Sequence, residues 1–356
     1  MLHDLALDNW RGLVGLVLTG MSYLTSAKLL NVIRCEWEKW RRVVRPRAFP
    51  YVAVIDIANI CNLRCPYCPT GARRKSGRAE RMIDPLRVKK MLDELDKYLI
   101  SVNLYNWGEP LLHPQIAAMV RMIHNRRIFT KISTNLNTYN REVLAELCEA
   151  GLDYLTVSCS GASQEVYEQY HRRGNLDVVL ENIRYLTAYK RKNNLRRPLI
   201  EFKYLLFRHN RQEMKAARNM ATGLGVDLFR WYEGSGPEEA IIDASSSPIN
   251  SLSHKFCHQL WNTVVINPDG GITPCCYLFF KRDDFGDYAH DRVMHMRNNP
   301  WFVTARKLFN ASEAADLPGT MQHPCLKCEV VHDQPHLQAY LALNPYAQKD
   351  HRTGGP

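Results

Sequence analysis

The sequence lacks an apolar run long enough to cross a membrane. Its uncharged stretch at residues 12–27 holds sixteen residues and three glycines, whereas a spanning helix needs about twenty predominantly apolar residues. Asp4 and Asp8 precede this stretch and are atypical of the positively charged start of a secretory signal. We therefore expect a cytoplasmic protein with no transmembrane segment.

Residues 1–48 predict an N-terminal amphipathic helical region. We expect this helix to pack its apolar face on the main domain, because helices of soluble proteins usually bury that face. The alternative is peripheral contact with an anionic membrane surface. The part after the uncharged stretch is basic and rich in tryptophan, with Arg34, Trp37, Lys39, Trp40, Arg41, Arg42, Arg45 and Arg47.

Cysteine is too sparse for a small disulfide scaffold, with eleven residues in a chain of 356. Clustered cysteines in an intracellular chain of this size are more often metal ligands or catalytic thiols. The formal net charge of +11 indicates an anionic partner. No nucleic-acid-binding motif accompanies this charge, so we do not expect DNA or RNA as the partner.

Strand-like and helix-like segments alternate over residues 49–235. Six such repeats predict an α/β fold in which a parallel sheet, with helices outside it, curls into a partial (β/α)6 barrel of the TIM type. Asn210 and Glu213 have the spacing of a capping box for the helix that follows the fifth strand. The predicted strands are residues 51–57, 101–105, 128–134, 154–158, 199–206 and 226–232.

The composition changes after the sixth predicted strand. Residues 236–255 are rich in small and polar side chains and predict a linker. Residues 256–331 predict a smaller second domain, in which Pro268-Asp269-Gly270-Gly271 between two apolar segments indicates a β-hairpin. Residues 332–356 are expected to form a polar tail.

Cys61, Cys65 and Cys68 directly follow the first predicted strand. In parallel barrels, the carboxyl ends of the strands carry the chemistry. Structural zinc takes four protein ligands, and this run has neither a nearby histidine nor a fourth cysteine. Three thiolates can instead hold three corners of a cubane iron–sulfur cluster and leave its fourth iron open.

The spacing C-x3-C-x2-C, with Tyr67 before the third cysteine, resembles the motif of the radical S-adenosylmethionine (SAM) superfamily. The resemblance implies that the open iron of a [4Fe–4S] cluster binds SAM and that reduction releases a 5′-deoxyadenosyl radical. It also implies that Tyr67 lies near the adenine. Other positions that match SAM-binding segments of the family are Gly108, Glu109, Pro110, Ser133, Asn135, Ser158 and Arg173.

Two positions depart from the family's pattern. Leu136 stands where relatives have glycine after the third strand, and Ser160 stands where many have aspartate after the fourth. Side chains alternate between the two faces of a strand, so Ser158 and Ser160 share one face. Cys159 is then expected to point into the core on the other face.

Cys257, Cys275, Cys325 and Cys328 form a second set. Zinc is one interpretation, because two cysteine pairs that include C-x2-C are common zinc ligands. The order of these cysteines also resembles the SPASM/twitch extension of the radical SAM family. No cysteine follows Cys328, so the resemblance implies a single auxiliary [4Fe–4S] cluster with four thiolate ligands and a role in electron transfer. Cys276 is left over, as a packing residue, a substitute ligand or a hydrogen-atom donor.

Strand alternation also nominates side chains inside the barrel. Glu201 and Lys203 share one face of the fifth strand, and Arg230 and Tyr232 share one face of the sixth. Buried charges are costly unless they are paired or used, so these residues form a structural salt bridge or contact SAM or substrate. A basic loop after Cys68 is a receptor for an anionic group, a solvated loop, or a docking site for an acidic electron donor such as flavodoxin or ferredoxin. Its cations are Arg73, Arg74, Lys75, Arg78 and Arg81.

The resemblance implies a radical SAM oxidoreductase that dehydrogenates a small polar or anionic molecule, such as a sugar, an aminocyclitol or a lipid head group. The second electron would pass to the auxiliary cluster. One alternative is a peptide-modifying maturase, although about fifty residues before the first strand are few for a leader-peptide-binding module. Another alternative is a redox-neutral epimerase or lyase in which a thiol such as Cys276 returns the hydrogen atom.

Overall fold

The computed structural model describes residues 20–237, 239–241, 256–289, 291–314, 316–318 and 321–347. Its strands are β1 Val52–Ile55, β2 Ser101–Asn103, β3 Phe129–Thr134, β4 Tyr154–Ser158, β5 Leu199–Leu206, β6 Leu228–Glu233, β7 Thr263–Ile266, β8 Gly271–Thr273 and β9 Gly286–Asp287. They form one nine-stranded sheet in the order β6-β5-β4-β3-β2-β1-β7-β8-β9. β1 to β6 are parallel and adjacent in chain order, which confirms the predicted α/β barrel.

Helices connect the parallel strands and cover the outside of the sheet. Alternate side chains of β5, Ile200, Phe202 and Tyr204, are fully buried in this outer layer, as the period of two requires. The helices are α1 Ser26–Trp40, α2 Pro85–Leu95, α3 Ile116–His124, α4 Glu142–Glu149, α5 Gln164–Tyr170, α6 Leu176–Lys192, α7 Met214–Gly223, α8 Gln259–Asn262, α9 Val293–Met296, α10 Pro300–Lys307, α11 Ala311–Ala314, α12 Glu329–His332 and α13 Gln338–Leu343.

β7 joins the second domain to the barrel. It pairs antiparallel with β8, with Val265 opposite Thr273, so the hairpin prediction is confirmed. It also pairs in parallel with β1, with Val52 opposite Thr263, which the sequence did not indicate. Without β7, the N–H and C=O groups along that edge of β1 would have no strand partner. The second domain therefore continues the main sheet.

The predicted capping box at Asn210 and Glu213 is wrong, because both side chains bind other loops. The Asn210 carboxamide oxygen accepts from the Phe207 N–H at 2.8 Å, and its amide donates to the Ser160 carbonyl at 3.0 Å. The Glu213 carboxylate accepts from the Ser163 N–H at 3.1 Å and from the Ser163 hydroxyl at 2.6 Å. Asn210 thus caps the turn that begins at Phe207, three residues before it, whereas Ser160 and Ser163 lie about fifty residues away, so local spacing could not reveal those partners. Both residues hold the loop after β4 in place.

The chain after residue 331 is ordered into helices as far as it is described, so the expected polar tail is wrong for residues 332–347. Leu337, just before α13, and Leu341, within it, are both buried. Residues 348–356 lie outside the described part, as do residues 242–255 of the predicted linker. No helix in the described part of the chain is long and apolar enough to cross a membrane.

α1 packs on the domain through its polar face, opposite to the expectation from its sequence. Lys28, Asn31, Cys35 and Glu38 are buried. Their hydrogen bonds go to main-chain groups of neighbouring segments, such as the bond of 2.6 Å from the Lys28 ammonium to the Arg127 carbonyl. The apolar side chains on the other face, Leu29, Leu30, Ile33, Trp37 and Trp40, are exposed.

Candidate active site

The three cysteines of the first motif lie in the loop that follows β1, at the carboxyl edge of the parallel strands. The pKa of the Cys65 thiol is raised by burial and then by the nearby Cys68 and Cys61 thiols. Burial likewise raises the pKa of Cys61 to about 11. The structure therefore brings the three sulfurs together, as one cluster would require, and their role as ligands stays a prediction.

Hydrogen-bond donors already face these sulfurs. The Asn135 amide lies 3.7 Å from the Cys61 sulfur. The backbone N–H groups of Gly71 and Thr70 donate to the Cys68 sulfur and lower its pKa against the larger effect of burial. Donors of this kind stabilise a thiolate, which is the form that binds a metal. The residues present thus fit an iron–sulfur cluster at this position.

His171 contacts the sulfur of Cys65, and the sequence interpretation did not single it out. Its Nδ1 lies 3.9 Å from the Cys65 sulfur and its Nε2 lies 3.2 Å from the Ser160 hydroxyl. Burial lowers the pKa of His171 to about 3, so the ring is neutral. The Ser160 oxygen accepts from the Leu205 N–H at 3.1 Å, which leaves its own proton available to Nε2.

This chain of hydrogen bonds decides the tautomer once Cys65 is a thiolate. A thiolate only accepts hydrogen bonds, so Nδ1 of His171 must carry the ring proton and Nε2 must accept from Ser160. Ser160, one of the two departures from the family's pattern, thereby has a structural role. It links the backbone of β5 to a sulfur of the first motif.

Gly108 and Glu109 lie in the loop after β2 and contact the segment after β1 and the end of β3. A Cβ at Gly108 would lie 1.5 Å from the Ala58 carbonyl oxygen, so only glycine fits there. The buried Glu109 carboxylate accepts from the Thr134 hydroxyl at 2.6 Å, the Asn135 N–H at 2.8 Å and one further N–H at 3.0 Å. A carboxylate has about four acceptor positions, so about one remains for SAM. The predicted contact with the SAM amino group stays a prediction.

Leu136 has a backbone conformation that glycine adopts without strain. Its φ is 55°, in the left-handed region that favours glycine, and its side chain is fully buried. The Thr134 hydroxyl oxygen accepts from the Leu136 N–H at 2.9 Å. A glycine would fit the same turn, and the leucine adds apolar volume to the core.

Glu201 is the centre of a hydrogen-bonded cluster inside the barrel. Its carboxylate accepts from the Tyr154 hydroxyl at 2.7 Å, the Thr156 hydroxyl at 3.0 Å and the Tyr232 hydroxyl at 3.4 Å. The Lys131 ammonium lies 4.0 Å away. The sequence placed Glu201 and Tyr232 inside the barrel, but Tyr154, Thr156 and Lys131 were not among the candidates.

A row of polar side chains crosses three strands on the carboxyl-edge side of the Glu201 cluster. Ser158, Lys203 and Arg230 are register partners on β4, β5 and β6. Burial lowers the pKa of Lys203, although nearby Glu201 raises it.

Three other residues that were predicted to lie near SAM have different surroundings. The Tyr67 ring packs against Phe207 and Tyr170. Ser133 is half-buried, and Arg173 is exposed with a φ of 69°.

The four cysteines of the second set also lie together. The pKa of the Cys325 thiol is raised well above its usual value by burial and then by the nearby Cys275, Cys328 and Cys257 thiols. In the described part of the chain, no three His, Cys, Asp or Glu side chains form a group that could hold a single metal ion. A cubane cluster distributes its thiolates over separate irons. The neighbouring Cys276 N–H donates to the Gln259 side chain at 3.4 Å.

A cavity of about 670 Å³ lies beside Cys61 and is lined by both domains, including Trp107 after β2 and Phe279 after β8. Their rings meet edge to face at 5.3 Å. Asp56, which has a pKa raised by burial to about 7, also lines it. Three lining atoms, Arg64 Nε, Thr70 Oγ1 and Trp107 Nε1, are buried without a hydrogen-bond partner among the described residues. The cations along its wall are Arg64, Arg73, Arg74, Lys75 and Arg78.

The basic loop after Cys68 thus divides into two parts. Arg73, Arg74 and Lys75 are exposed and line the cavity. Arg78 is instead buried in ion pairs with Asp269, at 2.7 Å, and with Asp284. Its role as an anion receptor is therefore wrong, because both of its partners come from the second domain and use its charge.

Comparisons with known proteins agree with this geometry. Residues 55–221 match the model of the radical SAM superfamily, and residues 257–329 match the SPASM model, an iron–sulfur cluster-binding domain. The chain belongs to the radical SAM superfamily and carries a C-terminal SPASM domain. SAM and iron–sulfur clusters are therefore its cofactors.

Among curated proteins, a tungsten-containing aldehyde ferredoxin oxidoreductase cofactor-modifying protein of Pyrococcus furiosus is 28% identical over 179 residues, or 49% of each chain. A PqqA peptide cyclase of Rhodopseudomonas palustris is 26% identical over 37% of this chain and 34% of its own. The matches thus span half or less of these relatives.

Solved structures share the fold. SuiB of Streptococcus suis, bound to SAM, has a TM-score of 0.59 at 13% identity and covers 80% of this chain and 71% of its own. The anSMEcpe structure with bound SAM has a TM-score of 0.54 at 12% identity and covers 72% and 84%. At such identities, the likeness concerns the architecture alone.

Proposed function

We propose that this radical SAM enzyme oxidises a small polar substrate that carries an anionic group. The observation that supports the proposal is the cavity beside Cys61, whose wall holds the cations Arg64, Arg73, Arg74 and Lys75. Unpaired donors in a water-excluding site bind anions more strongly than exposed charges do. A phosphate or carboxylate on the substrate would satisfy Arg64 Nε and Trp107 Nε1, which lack partners among the described residues.

Cys61, Cys65 and Cys68 would hold the cluster that binds SAM, and the four cysteines of the SPASM domain would hold a second [4Fe–4S] cluster. Bound there, these groups supply a 5′-deoxyadenosyl radical and a one-electron acceptor. A flavodoxin or ferredoxin is the proposed source of the initiating electron. Asn135, whose amide faces the Cys61 sulfur, and Ser158, at the carboxyl end of β4, would orient SAM, and Tyr67 would pack on its adenine.

The chain's own residues would complete the oxidation. The substrate would lose a hydrogen atom from carbon to the 5′-deoxyadenosyl radical, which thereby becomes 5′-deoxyadenosine. It would also lose a proton from its hydroxyl to a base and one electron to the second cluster. Lys203 is the proposed base, because burial lowers its pKa and it lies level with Ser158. Glu201 would stabilise the ammonium group that forms when Lys203 takes the proton, and the Tyr232 ring, whose centroid lies 5.2 Å from the Lys203 Nζ, would position it. We place this activity in the cytoplasm, as the sequence predicts.

Two alternatives have specific support. The similarity to a PqqA peptide cyclase favours a peptide-modifying enzyme. The position of Cys276 favours a redox-neutral epimerase or lyase, because Cys276 and Glu201 both lie close enough to Tyr105 to raise its pKa, after burial. A thiol beside the barrel's interior could return a hydrogen atom to the substrate.

The first test concerns the clusters. Anaerobically reconstituted enzyme should carry about eight irons, which is the content of two cubanes, and should release 5′-deoxyadenosine from SAM with dithionite. Replacing Cys61, Cys65 and Cys68 by alanine should remove one cluster and abolish this cleavage. Continued cleavage by that variant would overturn the assignment. Replacing Cys325 and Cys328 should remove the other cluster and leave some SAM cleavage.

The second test concerns the anionic group. Phosphorylated hexoses and their parent hexoses are compared as substrates by the stimulation of 5′-deoxyadenosine release. Changing Arg73, Arg74 and Lys75 to glutamine should raise KM for a phosphorylated substrate by at least about tenfold without changing uncoupled SAM cleavage. The control changes three exposed cations at and just after the C-terminus of α6, namely Arg191, Lys192 and Arg196. Equal effects of the two triple variants, or equal turnover of both substrate classes, would contradict the proposal.

A further inference from the structure

The exposed apolar side chains of α1 lie on one face of the helix. Leu30, Ile33, Trp37 and Trp40 follow at intervals of three and four residues, as the helical period requires. They are 66%, 58%, 57% and 74% exposed. We call these four residues the α1 stripe. Leu29, Leu24 and Met21 extend the exposed apolar surface toward the N-terminus.

The opposite face of α1 is fixed, so the helix cannot turn to bury the stripe. The Asn31 side chain exchanges two hydrogen bonds with the main chain of Phe49, at 3.0 and 2.9 Å. The buried Glu38 carboxylate accepts from the N–H groups of Arg47 and Ala48 at 3.0 and 2.9 Å. Rotation would leave these buried polar groups without partners, which is unfavourable. Exposure of the stripe is thus a consequence of how the helix is anchored.

The exposed charge around the stripe is positive. Glu36 is paired with Lys39 and accepts from the Tyr51 hydroxyl at 2.8 Å, and Glu38 is buried against the main chain. Both carboxylates therefore already have partners within the chain. The exposed cations on and just after α1 are Arg34, Arg41, Arg42, Arg45 and Arg47.

We infer that the α1 stripe docks into the surface of an anionic phospholipid bilayer, with the surrounding arginines on the lipid phosphates. Tryptophan and aliphatic side chains beside arginine are the composition of helices that lie in the membrane interface. A second copy of the chain fits less well, because a two-fold contact through this face would bring the same arginines together. This inference concerns location and does not depend on the proposed substrate.

The test uses the full-length enzyme and vesicles of phosphatidylcholine, with or without phosphatidylglycerol. We expect co-sedimentation with the anionic vesicles and little with the neutral ones, and the bound fraction should fall as salt is added. Changing the four stripe residues to serine should weaken binding by at least about tenfold and leave SAM cleavage unchanged. The control variant, Leu86→Ser with Tyr139→Ser, removes two other exposed apolar side chains and should bind normally.

A photo-crosslinking benzophenone residue at position 33 identifies the occupant directly. Cross-links to phospholipid in the presence of anionic vesicles support the inference. Cross-links to a second copy, or to residues 1–19 of the same chain, in preference to lipid would overturn it. Equal binding of the stripe variant and the control variant would overturn it as well.

Discussion

Replacing Arg78 by methionine should destabilise the enzyme far more than removing an exposed cation. The Arg78 side chain is 3% exposed and pairs with Asp269 at 2.7 Å and with Asp284. These pairs join the loop after Cys68 to the β7–β8 hairpin and to the loop before β9. Methionine retains part of the apolar volume but leaves two largely buried carboxylates facing each other.

The expected loss follows from the burial of these carboxylates. Removing one partner of a buried ion pair costs about 3–5 kcal/mol. Asp269 retains Lys281 at 3.4 Å, so we expect the lower end, about 3 kcal/mol near neutral pH. Burial already raises the pKa of Asp284 to about 6 against the opposing effect of Arg78. Without Arg78 its folded-state pKa rises further above the unfolded value. The loss is therefore small in acid and grows as pH rises through the folded pKa.

Urea unfolding of the enzyme, followed by circular dichroism at about pH 8 and about pH 5, measures both effects. The control is Lys89→Met, which removes an exposed ion pair with Asp93 of 2.6 Å and should change the stability little, because solvent screens such pairs. Adding Asp284→Asn to Arg78→Met should recover part of the loss. Equal losses for the Arg78 and Lys89 variants, or a loss independent of pH, would refute the reasoning.

Three further outcomes follow from the site. His171→Leu should make the reduction potential of the SAM-binding cluster more negative in an EPR-monitored titration, because a donor to a ligand sulfur is lost; His171→Asn should restore part of the shift, and an unchanged potential would contradict the contact with Cys65. Because the pKa of Asp56 is raised on folding, the free energy of unfolding should fall as pH rises from about 4 to about 7. Asp56→Asn should remove this decrease, which is at most about 4 kcal/mol. Urea unfolding energies that change with pH in the same way for both proteins would contradict this. Leu136→Gly should lower the free energy of unfolding by about 1–3 kcal/mol, because the lost buried side chain outweighs the relieved backbone; a stabilised variant would contradict this.

Much of the barrel could be predicted from the sequence because its signals are local. Apolar β-branched segments alternate with capped helices, and β4 begins and ends where the pattern places it, at Tyr154 and Ser158. The proximity of Cys61, Cys65 and Cys68 could be predicted for the same reason, since the spacing of the motif lies within a single loop.

What the sequence could not reveal depends on contacts between distant segments. β7 reads as one arm of a hairpin, and nothing local indicates that it also pairs with β1. The polar face of α1 looks exposed until main-chain groups of Phe49 and Arg47 are seen to bind it. His171 reads as an ordinary helix-end residue until Ser160 and Cys65 are placed on either side of its ring.

The topology places the two cysteine sets at opposite ends of the same strands. Cys61 follows β1 at the carboxyl edge, whereas Cys257 precedes β7 and Cys275 follows the antiparallel β8, so both belong to the amino edge. β1 and β7 have four residues each, and such a strand is about 13 Å long. The Glu201 cluster lies between these ends, and Tyr105 connects it to Cys276. In the proposed oxidation, a substrate held there would give up a hydrogen atom toward one cluster and an electron toward the other, and the parallel pairing of β7 with β1 would then permit both steps on one molecule.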